Sequence, residues 1–125
     1  MIISTGIDIV EVYRIAETMT RTPRFRERVF TTTEREYCDA KEAAAAQSYA
    51  GRFAAKEAFL KAIKTGWRGK ITWHDIEVVN DADGVPSLNV RGEALRILME
   101  RGADVVHLSI SHTTEHAVAQ VILER

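Results

Sequence analysis

One carboxylate, Asp8, stands in the middle of the apolar stretch GIDIVE. It fits either a placed anion or the solvent side of a one-sided sheet, shared with Ser4 and Gly6. Further along, GRFAAKEAFLKAIKTG (residues 51–66) carries Glu57 and Lys61 four residues apart. That is the favoured orientation of a helical ion pair, which contributes only about 0.2–0.5 kcal/mol. The pair leaves Arg52 and Lys56 unexplained, because like charges at i and i+4 repel each other. Two cations on adjacent turns invite a shared anion, and with Lys61 they suit a ligand carrying several phosphates. His112 closes SISH and points with Leu108 and Ile110, which fits a structural or a functional side chain. His74, His107 and His116 show no metal-ligand spacing among themselves. RTPRFRER (21–28) holds four arginines around Phe25. Arginine with an aromatic is the composition of an interface hot spot, and a basic patch in a chain of net charge −1 implies an acidic partner. A solvated face is the plainer reading.

These residues need elements to hold them. IISTGIDIV alternates, with Ile3, Thr5, Ile7 and Ile9 on one side, and predicts a strand with one apolar face. Val12, Ile15, Ala16 and Met19 follow at helical spacing until Pro23. RFRERVF fits one more helical turn. Thr31–Glu34 and Thr33–Glu36 have capping-box spacing for a short helix. A helix of about twenty residues is expected from near Ala43 to Lys64, with Gly66 as its stop. On that helix Ala54, Ala55, Ala58 and Ala62 make a small-residue face, while Phe53 and Leu60 make a second ridge. Beyond it come the strand ITWHDIEVVN, the turn NDADGVP and the short strand SLNV, expected to form a hairpin. GEALRILMERG predicts a helix with Ala94, Leu95, Leu98 and Met99 inward and Gly102 as its stop. VVHLSIS and HAVAQVILE are the last strands, joined by HTTE. The order β-α-α-α-β-β-α-β-β predicts an α+β domain with a largely antiparallel sheet.

At 125 residues the chain is expected to be a single domain, 1–125. So small a domain benefits from oligomerisation. Its net charge of −1 argues against a general nucleic-acid binder. Cys38, the sole cysteine, excludes an intrachain disulfide and a cysteine zinc site. No signal peptide and no apolar run long enough to span a membrane are seen, so the cytoplasm is the expected location.

GIDIVE near the start, GRFAAKEAFLKA in the middle, TG after it, then DGVP and SISH together resemble the holo-acyl-carrier-protein synthases. These are the small, single-domain 4′-phosphopantetheinyl transferases, and the resemblance runs through nearly the whole chain. It implies that family's fold, a long helix packed on a largely antiparallel sheet. It also implies transfer of 4′-phosphopantetheine from coenzyme A to a serine of apo-acyl carrier protein, with release of 3′,5′-ADP. On the resemblance, Asp8 and Glu57 hold magnesium, which takes two carboxylates, phosphate oxygens and waters. Lys61 reaches the leaving phosphate, and Arg52 and Lys56 contact nucleotide phosphates. His112 completes the nucleotide site from a neighbouring chain, since family members are commonly homotrimers with interfacial sites. Arg14, Arg21, Arg24, Phe25 and Arg28 dock the acidic carrier protein. The serine proton is left to a metal-bound water or to Glu57 or Asp8 relaying through one. Two places depart from the family pattern. Where basic residues often precede the long helix this chain reads EAAAAQS (42–48), the nearest base being Lys41, and Val85 replaces a common lysine. Two other readings remain beside the transferase: a non-catalytic carrier-protein or nucleotide-binding module, and a magnesium-dependent hydrolase of coenzyme A. The first has no need of both carboxylates and Lys61. The second would release product without a carrier.

Overall fold

The computed structural model describes residues 1–65 and 70–125. The element order is as expected with one helix more before the second strand, because RFRERVF forms a short helix of its own: β1 (Ile2–Glu11), α1 (Val12–Arg21), α2 (Phe25–Val29), α3 (Thr32–Asp39), α4 (Ala45–Ile63), β2 (Ile76–Asn80), β3 (Pro86–Val90), α5 (Gly92–Glu100), β4 (Val105–His112) and β5 (His116–Glu124). Instead of one sheet there are two, both antiparallel. One has the order β1-β5-β4 and the other is the β2–β3 hairpin. Single turns of 3-10 helix cover Glu42–Ala44 and Trp73–Asp75, so α4 begins later and β2 is shorter than expected.

α4 is the centre of the molecule, and this explains its two packing surfaces. Ala58, Phe59, Ala62 and Ile63 lie in one core with Ile76, Val78, Leu98, Ala119, Val121 and Leu123. Tyr49 and Ala50, toward its start, lie in a second core with Val12, Ile15, Val29, Phe30 and Ala117. A helix enclosed on most sides carries no single apolar stripe. It ends at Ile63, where Lys64 turns left-handed (φ 62°) and its N–H reaches the Leu60 and Lys61 carbonyls at 3.1 and 3.2 Å. Gly66, the expected stop, lies outside the described residues.

β1 is turned over relative to its hydrophobic pattern. Gly6 faces α4, and a Cβ there would run into the Ala58 carbonyl oxygen and come within 2.7 Å of the Ala62 nitrogen. Ser4 on the same face donates to the Ala62 carbonyl at 2.6 Å. Ile7 and Ile9 are therefore left exposed, at 59% and 65%. Small residues win the inner face because only they let strand and helix backbones touch. In α5 Ala94 and Leu98 face inward as expected, but they are joined by Ile97, while Leu95 and Met99 are exposed, because the buried face runs i, i+3, i+4 from Ala94. The Thr31–Glu34 capping box forms at the start of α3. Among the described residues no helix is long and apolar enough to cross a membrane.

Candidate active site

Two groups of side chains lie at opposite edges of the three-stranded sheet. At the β1 edge, Asp8 faces inward beside α4. Lys61 reaches across to it, donating to Asp8 Oδ1 and to the Ile7 carbonyl, both at 3.0 Å. The Asp8 side chain is only 14% exposed. Its Oδ2 is buried with no hydrogen-bond partner among the described residues. Glu57 lies one turn before Lys61 on α4, half-buried. Ile7, Asp8, Ile9, Lys61 and Val118 line a cleft of about 400 Å³, so the carboxylate adjoins the exposed isoleucine face.

At the β4 edge a second cleft of about 250 Å³ is walled by Gly51 and Arg52 of α4, Ile110 and His112 of β4, Tyr37 and Lys41, and Asn80, Gly84 and Pro86 of the hairpin. Arg52 is 4% exposed. Its guanidinium lies over the Tyr37 ring at 4.1 Å, and its Nη2 donates to Asn80 Oδ1. Nε has no partner, and no carboxylate pairs with the group among the described residues. A buried cation without a counter-ion is costly unless an anion arrives. The hairpin turn fixes Asn80 in place, its Nδ2 donating to the Gly84 carbonyl at 3.0 Å, with Gly84 at φ 83°. Lys41 lies over the same Tyr37 ring at 4.7 Å. His112 pairs through Nδ1 with Gln47 Oε1 at 3.0 Å. Gly51 leaves the room for β4 here, since a Cβ would stand 3.0 Å from Ile110 Cγ2.

His112 thus shares a cleft with Arg52 of its own chain and lies at the sheet edge opposite Asp8. Lys56 is a plain correction. It is fully buried, and its Nζ donates to Glu34 Oε1 at 2.9 Å, to the Ile76 carbonyl at 2.7 Å and to the Trp73 carbonyl at 3.0 Å. Its donors are spent inside the fold, so it does not reach a nucleotide phosphate. Burial lowers its pKa, partly offset by Glu34.

The basic patch divides. Arg14 pairs with Glu11 and Arg21 with Glu17, both at 2.8 Å and largely exposed, where such pairs contribute little. Arg26 turns inward to Asp39 at 2.7 Å and to the Tyr49 hydroxyl at 2.9 Å. Burial and the Asp39 hydrogen bond push Tyr49 up to about 12. Arg24 and Arg28 are exposed with no ion pair among the described residues. Phe25 is half-buried, its ring 6.1 Å from both Phe30 and Phe53, so part of its apolar area is already used.

Sequence reasoning missed Tyr37 and Asn80, which reach the cleft from distant elements and carry no local signal. It read Glu34 only as a capping residue. Among the described residues no group of three or more histidines, cysteines or acids is gathered to hold a metal. A buried, unpartnered Asp8 oxygen beside α4 still fits a hard cation, because magnesium takes one or two protein carboxylates and completes its shell with phosphate and water.

Residues 4–121 match the family model of the 4′-phosphopantetheinyl transferase superfamily. The holo-[acyl-carrier-protein] synthase of Koribacter versatilis is 50% identical over 99% of both chains. The holo-(acyl-carrier-protein) synthase of Bacillus anthracis in complex with CoA (3′,5′-ADP) is 43% identical, with a TM-score of 0.80, over 98% of this chain and 96% of its own. The holo-[acyl-carrier-protein] synthase from Neisseria meningitidis superposes with a TM-score of 0.85 at 35% identity over the whole of both chains. With likeness of this extent in sequence and in fold, the chain belongs to the holo-acyl-carrier-protein synthases of the 4′-phosphopantetheinyl transferase superfamily.

Proposed function

We propose that this protein transfers 4′-phosphopantetheine from coenzyme A to a serine hydroxyl of an apo-acyl carrier protein, releasing 3′,5′-ADP. The observation that carries the reading is the buried Arg52 guanidinium, held flat by Tyr37 and Asn80 with no carboxylate paired to it among the described residues. Such a group is built to receive a phosphate. Arg52 and His112 bind the nucleotide phosphates at the β4 edge, and the Lys61 ammonium, set by Asp8 and the Ile7 carbonyl, meets the leaving phosphate. Asp8 and Glu57 are the residues that would hold magnesium, which when bound neutralises pyrophosphate charge and orients the attack. The serine oxygen forms its bond to the pantetheine-bearing phosphorus as the bond to 3′,5′-ADP breaks. The serine proton passes through a water to Asp8 or Glu57.

Arg14, Arg21, Arg24, Arg28 and the exposed part of Phe25 form the docking surface for the acidic carrier. Arg24 and Arg28 supply most of the steering, because their charges form no ion pair among the described residues. We further propose a homotrimer with shared sites and a cytoplasmic location. Ile7, Ile9 and Val118 present an apolar sheet face that adjoins Asp8, so a neighbouring copy packed there would wall the carboxylate cleft. The two groups of side chains at opposite sheet edges suit a closed ring, in which one copy's edge meets the next copy's cleft.

Mixing Lys61→Ala and His112→Ala subunits tests the shared site: recovery of transfer supports it, and none in a mixed trimer opposes it. Incubation with coenzyme A and magnesium, with and without apo-carrier, tests the reaction. Release of 3′,5′-ADP that depends on the carrier supports transfer. Equal release without it would mean hydrolysis, and binding with no release would mean a non-catalytic module.

A further inference from the structure

We propose that the buried Glu34–Lys56 pair is a positioning device for the cleft: it stands in for a third strand along β2 and holds the hairpin wall against Arg52. This inference rests on the reading of that cleft as the coenzyme A site.

The β2–β3 hairpin is a sheet of two strands, which on its own is marginally stable in water. Its pairing centres Glu77 on Asn89. The Val78 N–H and Ile76 carbonyl on either side of Glu77 are bonded to side chains of other elements. Glu34 Oε2 accepts from Val78 N at 2.8 Å, and Lys56 Nζ donates to the Ile76 carbonyl at 2.7 Å. One carboxylate and one ammonium thus supply the acceptor and the donor that a neighbouring strand would offer. Both side chains are wholly buried and pair with each other at 2.9 Å. Thr31 extends the tie, donating to Glu77 Oε2 at 2.6 Å, while Asn89 donates to Glu77 Oε1 across the hairpin at 3.3 Å.

The tie lies at a telling place. Lys56 is one helical turn beyond Arg52 on α4, and Asn80 is two residues beyond Val78 on β2. The clamp and the Arg52–Asn80 contact are therefore adjacent rungs between the same helix and the same strand. A shift of the hairpin would move Asn80, Gly84 and Pro86 together, and these form one wall of the cleft. A buried ion pair is a poor device for stability alone, since an apolar replacement of both partners is often neutral or better. Its hydrogen bonds to particular backbone groups fix a distance, which packed hydrocarbon does not.

The test compares wild type, Lys56→Met and the double variant Glu34→Gln/Lys56→Met. Each is read by urea unfolding, kcat, and KM for coenzyme A and for apo-carrier. Lys56→Met leaves a buried carboxylate unpaired and loses stability. The double variant removes both charges and recovers most of it, yet leaves the Ile76 and Trp73 carbonyls without their donor. The expected result in the folded double variant is a coenzyme A KM raised threefold or more, with kcat and carrier KM within twofold of wild type. A purely structural pair predicts that KM recovers with stability. A rise of less than threefold, or all three constants moving together, overturns the proposal. Should the double variant not fold, Glu34→Gln alone, which keeps the size of the side chain, is held to the same split. Failure of the wild type to transfer phosphopantetheine would overturn the functional reading itself. Transfer by the wild type with unshifted variants would overturn only the positioning role.

Discussion

Arg52→Met should weaken ligand binding while leaving the stability of the fold nearly unchanged. Methionine keeps most of the side-chain volume and removes the charge. On the stability side, the variant forfeits the stacking of the guanidinium on Tyr37 at 4.1 Å, worth about 0.5–2 kcal/mol. It also forfeits the hydrogen bond to Asn80, worth about 1.5–3 kcal/mol for a charged donor. Against this, it recovers the desolvation cost of a cation that is 4% exposed and has no carboxylate partner among the described residues, a penalty of several kcal/mol. The terms nearly cancel, so unfolding in urea should change by less than about 1 kcal/mol in the destabilising direction. On the binding side, loss of charge-assisted hydrogen bonds to a phosphate should cost about 2–3 kcal/mol, a roughly 30- to 150-fold rise in Kd. Titration calorimetry with 3′,5′-ADP reads this directly. Opposite behaviour of stability and affinity marks a residue kept for its ligand. If Arg52→Met unfolds more than about 2 kcal/mol more easily while binding 3′,5′-ADP within threefold of wild type, Arg52 is a structural residue and the reasoning is wrong.

Asp8→Asn and Glu57→Gln should each lower kcat at least about a hundredfold, near 3 kcal/mol of transition-state stabilisation, with unfolding little changed; wild-type turnover in both at low magnesium would remove the metal assignment. Gly6→Ala places a Cβ against the Ala58 carbonyl and should cost about 1–3 kcal/mol or more, with a lowered kcat because Asp8 lies two residues away on the same face of β1; an unchanged unfolding midpoint would contradict the close approach. Arg24→Glu with Arg28→Glu should raise the carrier KM strongly, leave the coenzyme A KM nearly unchanged and flatten the salt dependence of docking, whereas a shift within twofold would place the carrier elsewhere. Burial works to raise the Glu77 pKa, but hydrogen bonds from Thr31 and Asn89, with Arg91 and Lys56 nearby, outweigh it and hold it below 4.5. The unfolded chain therefore binds more protons in that range, and stability present above about 4.5 should fall as pH drops through the folded pKa. Glu77→Gln should flatten that acid limb, and an unaltered limb would refute the assignment.

Most element types were legible because periodicity and caps are local. The Thr31–Glu34 capping box and the long helix were seen for that reason. The face of β1 was read backwards, because its alternation assigns isoleucines to the core. The inner face is instead decided by how closely Gly6 lets the strand approach Ala58. The same limit hid the state of Lys56. Its charge and its position beside Arg52 suggested an anion, but its partners, Glu34 and the Ile76 and Trp73 carbonyls, come from elements far along the chain. Arg52 was legible as a cation at the right spacing, while Tyr37 and Asn80, which hold it, were not. Phe25 and the arginines around it read as one patch, and the fold sorts them: Arg26 turns inward, Phe25 joins an aromatic cluster, and Arg24 and Arg28 stay exposed.

The most direct measurement is the intact mass of an apo-acyl carrier protein after incubation with this protein, coenzyme A and magnesium. The carrier should gain the mass of one phosphopantetheine group, one 3′,5′-ADP should appear for each carrier modified, and a carrier whose acceptor serine is alanine should gain nothing. A carrier of unchanged mass, with coenzyme A intact or cleaved independently of it, would rule out phosphopantetheine transfer by this protein.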